Sequence, residues 1–168
     1  MPVQRLNHAV LYVRDVDRSV AFYTEALGFR VVTSIPGRAA FLQAADSTND
    51  HDLGLFAIGS RAGDSTAGHS TVGLYHLAWE VDTLAELRRI RDVLTERGSL
   101  VGASDHGSTK ALYAKDPDGI EFEVSWLVPA ALLDPKEAIT TRPLHLDREI
   151  ERYGAETRGG IGVSVPTA

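Results

Sequence analysis

The sequence predicts an α+β fold in which two tandem βαβββ modules form a cup-shaped mixed sheet, with a short C-terminal tail beyond them. Three observations predict it. A strand-like segment recurs 68 positions apart, each copy precedes a helical pattern, and each helix gives way to three further strand-like runs.

The elements follow in order. Leu6-Asn7-His8-Ala9-Val10-Leu11-Tyr12-Val13 alternates as a strand does. Asp17 is the expected N-cap of a helix with apolar positions Val20, Ala21 and Leu27, stopped at Gly28. Strands are expected near 29–35, 39–44 and 52–58, with a turn at Pro36-Gly37. Residues 59–73, rich in Gly, Ser and Thr, read as a linker. The second module opens with Leu74-Tyr75-His76-Leu77-Ala78-Trp79-Glu80-Val81. A Thr83-x-x-Glu86 capping box then starts a helix carrying Leu87, Ile90, Val93 and Leu94, which ends at Gly98. Strands near 99–104, 110–115 and 120–127 complete it, with Asp116-Pro117-Asp118-Gly119 as a turn. The modules thus span about 4–58 and 74–128 within one domain, 1–128. The extension 129–168 lies outside the repeat. It is expected to start a short helix at Asp134-Pro135-Lys136-Glu137 and another from Asp147 to Tyr153, to fray over its last ten residues, and to pack on the modules or on a second subunit.

Composition narrows the function. With 168 residues, 43% of them hydrophobic, the chain can build one proper core. No cysteine is present, so disulfides, thiolate metal sites and Cys nucleophiles are excluded, and a metal would be held by His, Asp or Glu. No run approaches the roughly 20 apolar residues of a membrane span, and residues 1–5 lack a signal-peptide core. A cytoplasmic protein is expected, with no membrane partner. A net charge of −6 without a basic stripe argues against nucleic acid and toward a small-molecule partner.

Strand parity then selects residues. His8 shares a face with Leu6, Val10 and Tyr12, opposite Ala9, Leu11 and Val13; His76 opposes Leu77, Trp79 and Val81; Glu121, Glu123 and Ser125 oppose Ile120, Phe122, Val124 and Trp126. The residue 68 places before Glu123 is Leu55, so three ligands with no fourth are expected. Two imidazoles and one carboxylate leave open positions on a divalent metal, the arrangement of Fe(II) enzymes that activate oxygen. Taken singly, each residue also has an ordinary reading: a hydrogen-bonded strand histidine, or a solvated glutamate. His69 and His145 are read as solvent or packing residues, and Glu121 as edge-exposed or adjacent to the ligands.

The run Leu6 to Val13, Ser19-Val20-Ala21-Phe22-Tyr23, Leu27-Gly28-Phe29 and Asp116-Pro117-Asp118-Gly119-Ile120-Glu121-Phe122-Glu123 resembles the vicinal oxygen chelate superfamily over about residues 4–128. That superfamily includes glyoxalase I, fosfomycin and bleomycin resistance proteins, methylmalonyl-CoA epimerase and type I extradiol dioxygenases. The resemblance implies a metal on His8, His76 and Glu123. Glyoxalase I carries a fourth ligand, a Glu, where this chain is expected to have Leu55; Asp52 has the opposite parity and is a poor substitute. His51-Asp52-Leu53-Gly54-Leu55 and Asp105-His106-Gly107 with Tyr113 ahead of Glu123 are similar to extradiol motifs, although two intervals differ in length from the larger relatives.

The resemblance implies an Fe(II)-dependent, catechol 2,3-dioxygenase-like extradiol enzyme acting on a catecholic substrate with O2. His51 would serve as acid and base, with His106 and Tyr113 orienting substrate oxygens. A homodimer is expected. The rival readings are a non-oxidative enzyme of the same fold (glyoxalase, epimerase or thiol transferase) using Mn, Ni or Zn, and a metal-free drug-binding or aromatic-binding protein.

Overall fold

Both module helices begin where a short polar side chain takes over an amide the helix cannot satisfy. In the computed structural model, which describes residues 2–67, 70–134, 136, 139–160 and 163–164, α1 (Val16–Leu27) is capped by Asp15, whose carboxylate accepts from the Arg18 amide at 3.0 Å. The expected cap, Asp17, instead lies in the first turn, where its charge suits the positive end of the helix. The buried stripe is correspondingly Val16, Ser19, Phe22, Tyr23 and Ala26, not Val20, Ala21 and Leu27. Two aromatic side chains outweigh the smaller apolar positions, because they have most area to remove from water. Gly28 closes the helix at φ 73°, a left-handed conformation that glycine adopts without strain. In the second module Thr83 caps α2 (Leu84–Glu96) as the sequence predicts, and Leu84, Leu87, Ile90 and Leu94 face inward.

Two sheets carry these helices. β1 (Ala9–Val13), β2 (Arg30–Ile35), β3 (Ala39–Gln43) and β4 (Leu53–Ala57) order as β1-β4-β3-β2, with β1 and β4 parallel. β5 (Leu77–Glu80), β6 (Leu100–Gly107), β7 (Thr109–Lys115) and β8 (Glu121–Leu127) order as β5-β8-β7-β6, with β5 and β8 parallel. The two modules therefore share one topology, the expected βαβββ. They fall into two units, 1–65 with 116–119, and 66–115 with 120–168.

In the first unit α1 covers Leu11, Val13, Ala40, Leu42, Leu53 and Leu55, while Val10 and Tyr12 lie on the uncovered face. The Asp116–Gly119 turn belongs to this unit through paired side chains. Tyr23 donates its hydroxyl to Asp116 at 3.2 Å, and the Arg14 amide and guanidinium both donate to Asp118 at 3.0 Å. Burial, followed by the Asp116 charge, pushes the Tyr23 phenol well above the ordinary tyrosine range, so it stays a donor. The motif's two aspartates thus fasten the turn.

The second unit includes the extension. After a short 3-10 turn at Ala130–Leu132, β9 (Ile139–Pro143) adds to the free edge of β6, and α3 (Leu146–Tyr153) packs against α2. α3 matches the helix expected from Asp147. β9 was not expected, and the helix start expected at Asp134 falls partly on Pro135 and Glu137, outside the described residues. Of the ten terminal residues expected to fray, Gly159, Val163 and Ser164 make hydrogen bonds to Asp82, Ala130 and Leu127; residues 161, 162 and 165–168 lie outside the described residues.

An ion cluster ties this extension down. Lys110, fully buried, bonds Asp105 at 2.6 Å and Glu149 of α3 at 3.0 Å, while Arg142 of β9 reaches Asp105 at 2.7 Å. Burial alone would raise the Asp105 carboxyl, but Lys110, Arg142 and the Gly107 amide hold it below the ordinary aspartate range. Asp105→Asn is expected to cost about 3 kcal/mol, because it leaves a buried ammonium short of its counter-charge. Since the folded carboxyl is depressed, the wild type keeps this contribution above the ordinary value of about 4 and loses it as pH falls through the depressed one. Urea unfolding followed downward from about pH 7 checks both statements: the gap between wild type and variant should hold to about pH 4 and narrow progressively below it.

Candidate functional site

The first-strand histidines occupy matched places, although not inside strands. His8 immediately precedes β1 and His76 immediately precedes β5, so both lie at the mouth of a parallel strand pair. Strand pairing corrects the expected mate of Glu123. Glu123 pairs with Ala78, the second residue of β5; the second residue of β1, Val10, pairs with Gly54 rather than Leu55. The approaches to β4 and β8 differ by one residue, so the 68-residue offset does not hold through the module. Leu55 lies in the buried, helix-covered core. Gly54, at the register position that matches Glu123, has no side chain to offer a metal. Asp52 is committed elsewhere: its carboxylate accepts from the Ala44 amide, the Ser47 hydroxyl and the Asn49 side chain.

In the first unit His8 and His51 meet, with ring centroids 4.4 Å apart, and Phe41 packs edge-on against His51 at 5.1 Å. The His8 Nδ1 lies 2.6 Å from Asn7 Oδ1. A proton on Nδ1 satisfies that contact and leaves the Nε2 lone pair free, the state a metal ligand requires. His51 Nδ1 likewise lies 3.2 Å from Asp50, which also accepts the His51 amide at 2.9 Å. The backbone amide first, then the imidazole, lowers the Asp50 carboxyl. Asn7, Asp50 and Phe41 had no sequence motif of their own; the signal was adjacency, a polar side chain directly before each histidine.

In the second unit His76 Nε2 stands 3.2 Å from Glu123 Oε2. His76 Nδ1 is buried without a hydrogen-bond partner, so the far side of this ring contributes nothing polar. Tyr75 and Tyr113 flank the ring at 4.6 and 5.7 Å. Tyr113 is the cross-strand neighbour of Glu123, and its hydroxyl lies 2.9 Å from His106 Nε2. Burial first, then the Glu123 charge, pushes the Tyr113 phenol up to about 12. Thr140 and Thr141 of β9 contact His106 Nδ1 at 3.3 Å each, a contact that followed from the unexpected strand.

The predicted residues therefore assemble as two groups, His8 with His51, and His76 with Glu123, Tyr113 and His106. Within either unit, among the described residues, no group of three metal-ligating side chains is gathered. The donor types are nevertheless those a divalent ion takes: in the second unit an imidazole nitrogen and a carboxylate oxygen stand together, and in the first the His8 Nδ1 is tied back to Asn7 with Nε2 left free. His69 lies outside the described residues, and His145 is exposed ahead of α3.

Residues 5–124 match the family model described as Glyoxalase/Bleomycin resistance protein/Dioxygenase superfamily. The chain belongs to that superfamily. Members of the superfamily bind divalent metals. Among relatives, the chain is 30% identical over 120 residues to a catechol-2,3-dioxygenase of Bacillus subtilis, matching 71% of this chain but 40% of that protein. It is 31% identical over 131 residues to a lactoylglutathione lyase of Salmonella typhimurium, matching 71% of this chain and 90% of that one. A domain of the superfamily from Frankia superposes with TM-score 0.61 at 22% identity, covering 74% of this chain and 92% of the other, which shows the shared fold. Among the described residues no helix is long and apolar enough to cross a membrane.

The raised Tyr113 value gives a direct check. In metal-free protein Tyr113 should remain a phenol up to about pH 11. Tyr113→Phe should then leave the amount of tyrosinate formed by that pH unchanged in an ultraviolet titration; loss of one tyrosine's worth of signal would contradict it.

Proposed function

We propose that this superfamily member is an Fe(II)-dependent extradiol dioxygenase that opens a catecholic ring with O2, its metal held by His8, His76 and Glu123. The observation that carries the reading is the hydrogen-bonded pair His106–Tyr113 set beside Glu123 and His76. A catechol presents two adjacent oxygens whose charge grows as its hydroxyls ionise, and a phenol and an imidazole are suited to orient and stabilise them. The ligand set of two imidazoles and one carboxylate, with Gly54 in the register position matching Glu123, supports iron over metals that favour a further carboxylate.

When bound, Fe(II) would supply Lewis acidity and the electron transfer that a reaction with O2 needs. The chain's own residues manage protons and orientation. Asp50 holds the His51 Nδ1 proton, leaving Nε2 to take the proton of a substrate hydroxyl and return it later; an imidazole suits both tasks near neutral pH. Asn7 keeps His8 in the tautomer whose outer nitrogen is free to bind. Both atoms of O2 end in the product, a muconic semialdehyde, so no other reductant is consumed.

The similarity to lactoylglutathione lyases favours one second reading, a non-oxidative isomerase on Ni(II), Zn(II) or Mn(II). Gly54 weighs against it. Anaerobic loading with Fe(II), followed by a panel of catechols and admission of oxygen, separates the two: the dioxygenase takes up one O2 per yellow product. Turnover of a hemithioacetal under nitrogen, with no oxygen uptake on any catechol, would overturn the proposal.

Variants should divide by role. Glu123→Ala should lose tight metal binding with its fold retained, and full metal occupancy by elemental analysis would refute the ligand assignment. His51→Ala should keep iron and bind catechol, yet turn over about 10²–10⁴-fold more slowly. Tyr113→Phe should be milder, losing about 1.5–3 kcal/mol of transition-state stabilisation in kcat/KM.

A further inference from the structure

β6 and β9 are out of register at one place. Asp105 pairs with Arg142 and Gly107 with Ile139, so Thr140 and Thr141 together oppose the single residue His106. This is a β-bulge, which re-aims the side chain opposite it. Here it brings the Thr140 carbonyl and the Thr141 hydroxyl to His106 Nδ1, each at 3.3 Å, while Nε2 points to the Tyr113 hydroxyl at 2.9 Å. The bulge is pinned on both sides: Arg142 is bonded to Asp105, and buried Lys110 joins Asp105 to α3.

A carbonyl oxygen only accepts, so its contact with Nδ1 requires the proton to be there. A neutral His106 then has a bare Nε2 and must accept from Tyr113. Tyr113 has a single proton and two neighbours that want it, His106 and Glu123. We infer that the C-terminal strand is a positioning element: the Thr140 carbonyl fixes His106 as its Nδ1–H tautomer, and thereby turns the Tyr113 proton toward His106 and away from Glu123. The Glu123 carboxylate keeps its lone pairs for a cation. Thr140 is a positioning residue that acts through His106. This arrangement belongs to the chain without substrate. The inference rests on the proposed dioxygenase reading only for the catalytic effect, in which a substrate oxygen would take the Tyr113 proton and leave the bare His106 Nε2 to accept from a substrate hydroxyl.

Histidine-selective nitrogen NMR of the metal-free full chain tests it, at about two pH units above the ordinary histidine value. His106 is identified by the signal missing in His106→Gln. The expected result is a proton on Nδ1 and a bare Nε2; a proton on Nε2 would overturn the inference. Thr141→Val, which removes the hydroxyl but keeps the Thr140 carbonyl, should leave the tautomer unchanged, and a switch to Nε2–H would also refute it. Deleting Thr141 closes the bulge, and in a chain whose amide spectrum remains folded it should shift the tautomer ratio roughly 2- to 10-fold toward Nε2–H. An unchanged ratio there would show that the bulge does not matter. Catechol turnover by the same deletion should fall in kcat with KM little changed. If the wild type cleaves no catechol at all, the dioxygenase reading falls while the tautomer result still stands or fails by itself.

Discussion

Everything distinctive in this molecule depends on the two-residue alternation of the β-strand. Each module devotes one face of its sheet to a helix, and the core residues Leu53, Leu55, Phe122, Val124 and Trp126 are almost wholly removed from water on that side. Polar residues that must meet a ligand are thereby confined to the other side. A strand shifted by one residue would bury Glu123 against α2 and expose Val124 or Phe122 in its place. Packing thus specifies more than stability: it fixes which side chains can ever converge.

That same alternation explains what the sequence revealed. The repeat of His8 and His76, the Thr83 helix cap and the polar parity of Glu123 are local signals, and the structure has each of them, although Glu86, the other half of the expected capping box, accepts from Arg89. Less accessible were features set by what lies across from a residue. The α1 stripe turned on which face carries the two aromatic side chains, Phe22 and Tyr23, with Ser19 and Ala26 buried beside them. The mate of Glu123 turned on a one-residue difference in the lengths leading into β4 and β8, which arithmetic along the chain cannot detect. β9 is five residues ending in proline, yet Ile139-Thr140-Thr141 is β-branched throughout, and that run was the legible clue to an added edge strand.

The second unit also shows how an appended segment can become integral. Burying Lys110 without a partner would be prohibitive, and the chain resolves this with carboxylates from two different elements, Asp105 on β6 and Glu149 on α3. Asp105 in turn anchors Arg142 on the added strand. A single aspartate therefore neutralises the core ammonium, ties the edge strand and accepts the Gly107 amide. Trp126 adds an independent fastening, its indole N–H lying 3.2 Å from the carbonyls of both Asp82 and Thr157.

Gly54 carries an implication for how this site can change over time. A Cβ built on it would lie 3.3 Å from a Val10 methyl and 3.7 Å from the Phe41 ring, closer to Val10 than side chains ordinarily tolerate. A side chain at that position needs Val10 to give by only a few tenths of an ångström, and Val10 is half exposed, so it can turn toward solvent. For the proposed three-ligand site, the freedom of one neighbouring methyl group therefore decides whether descent from this chain could add a fourth carboxylate in a single step.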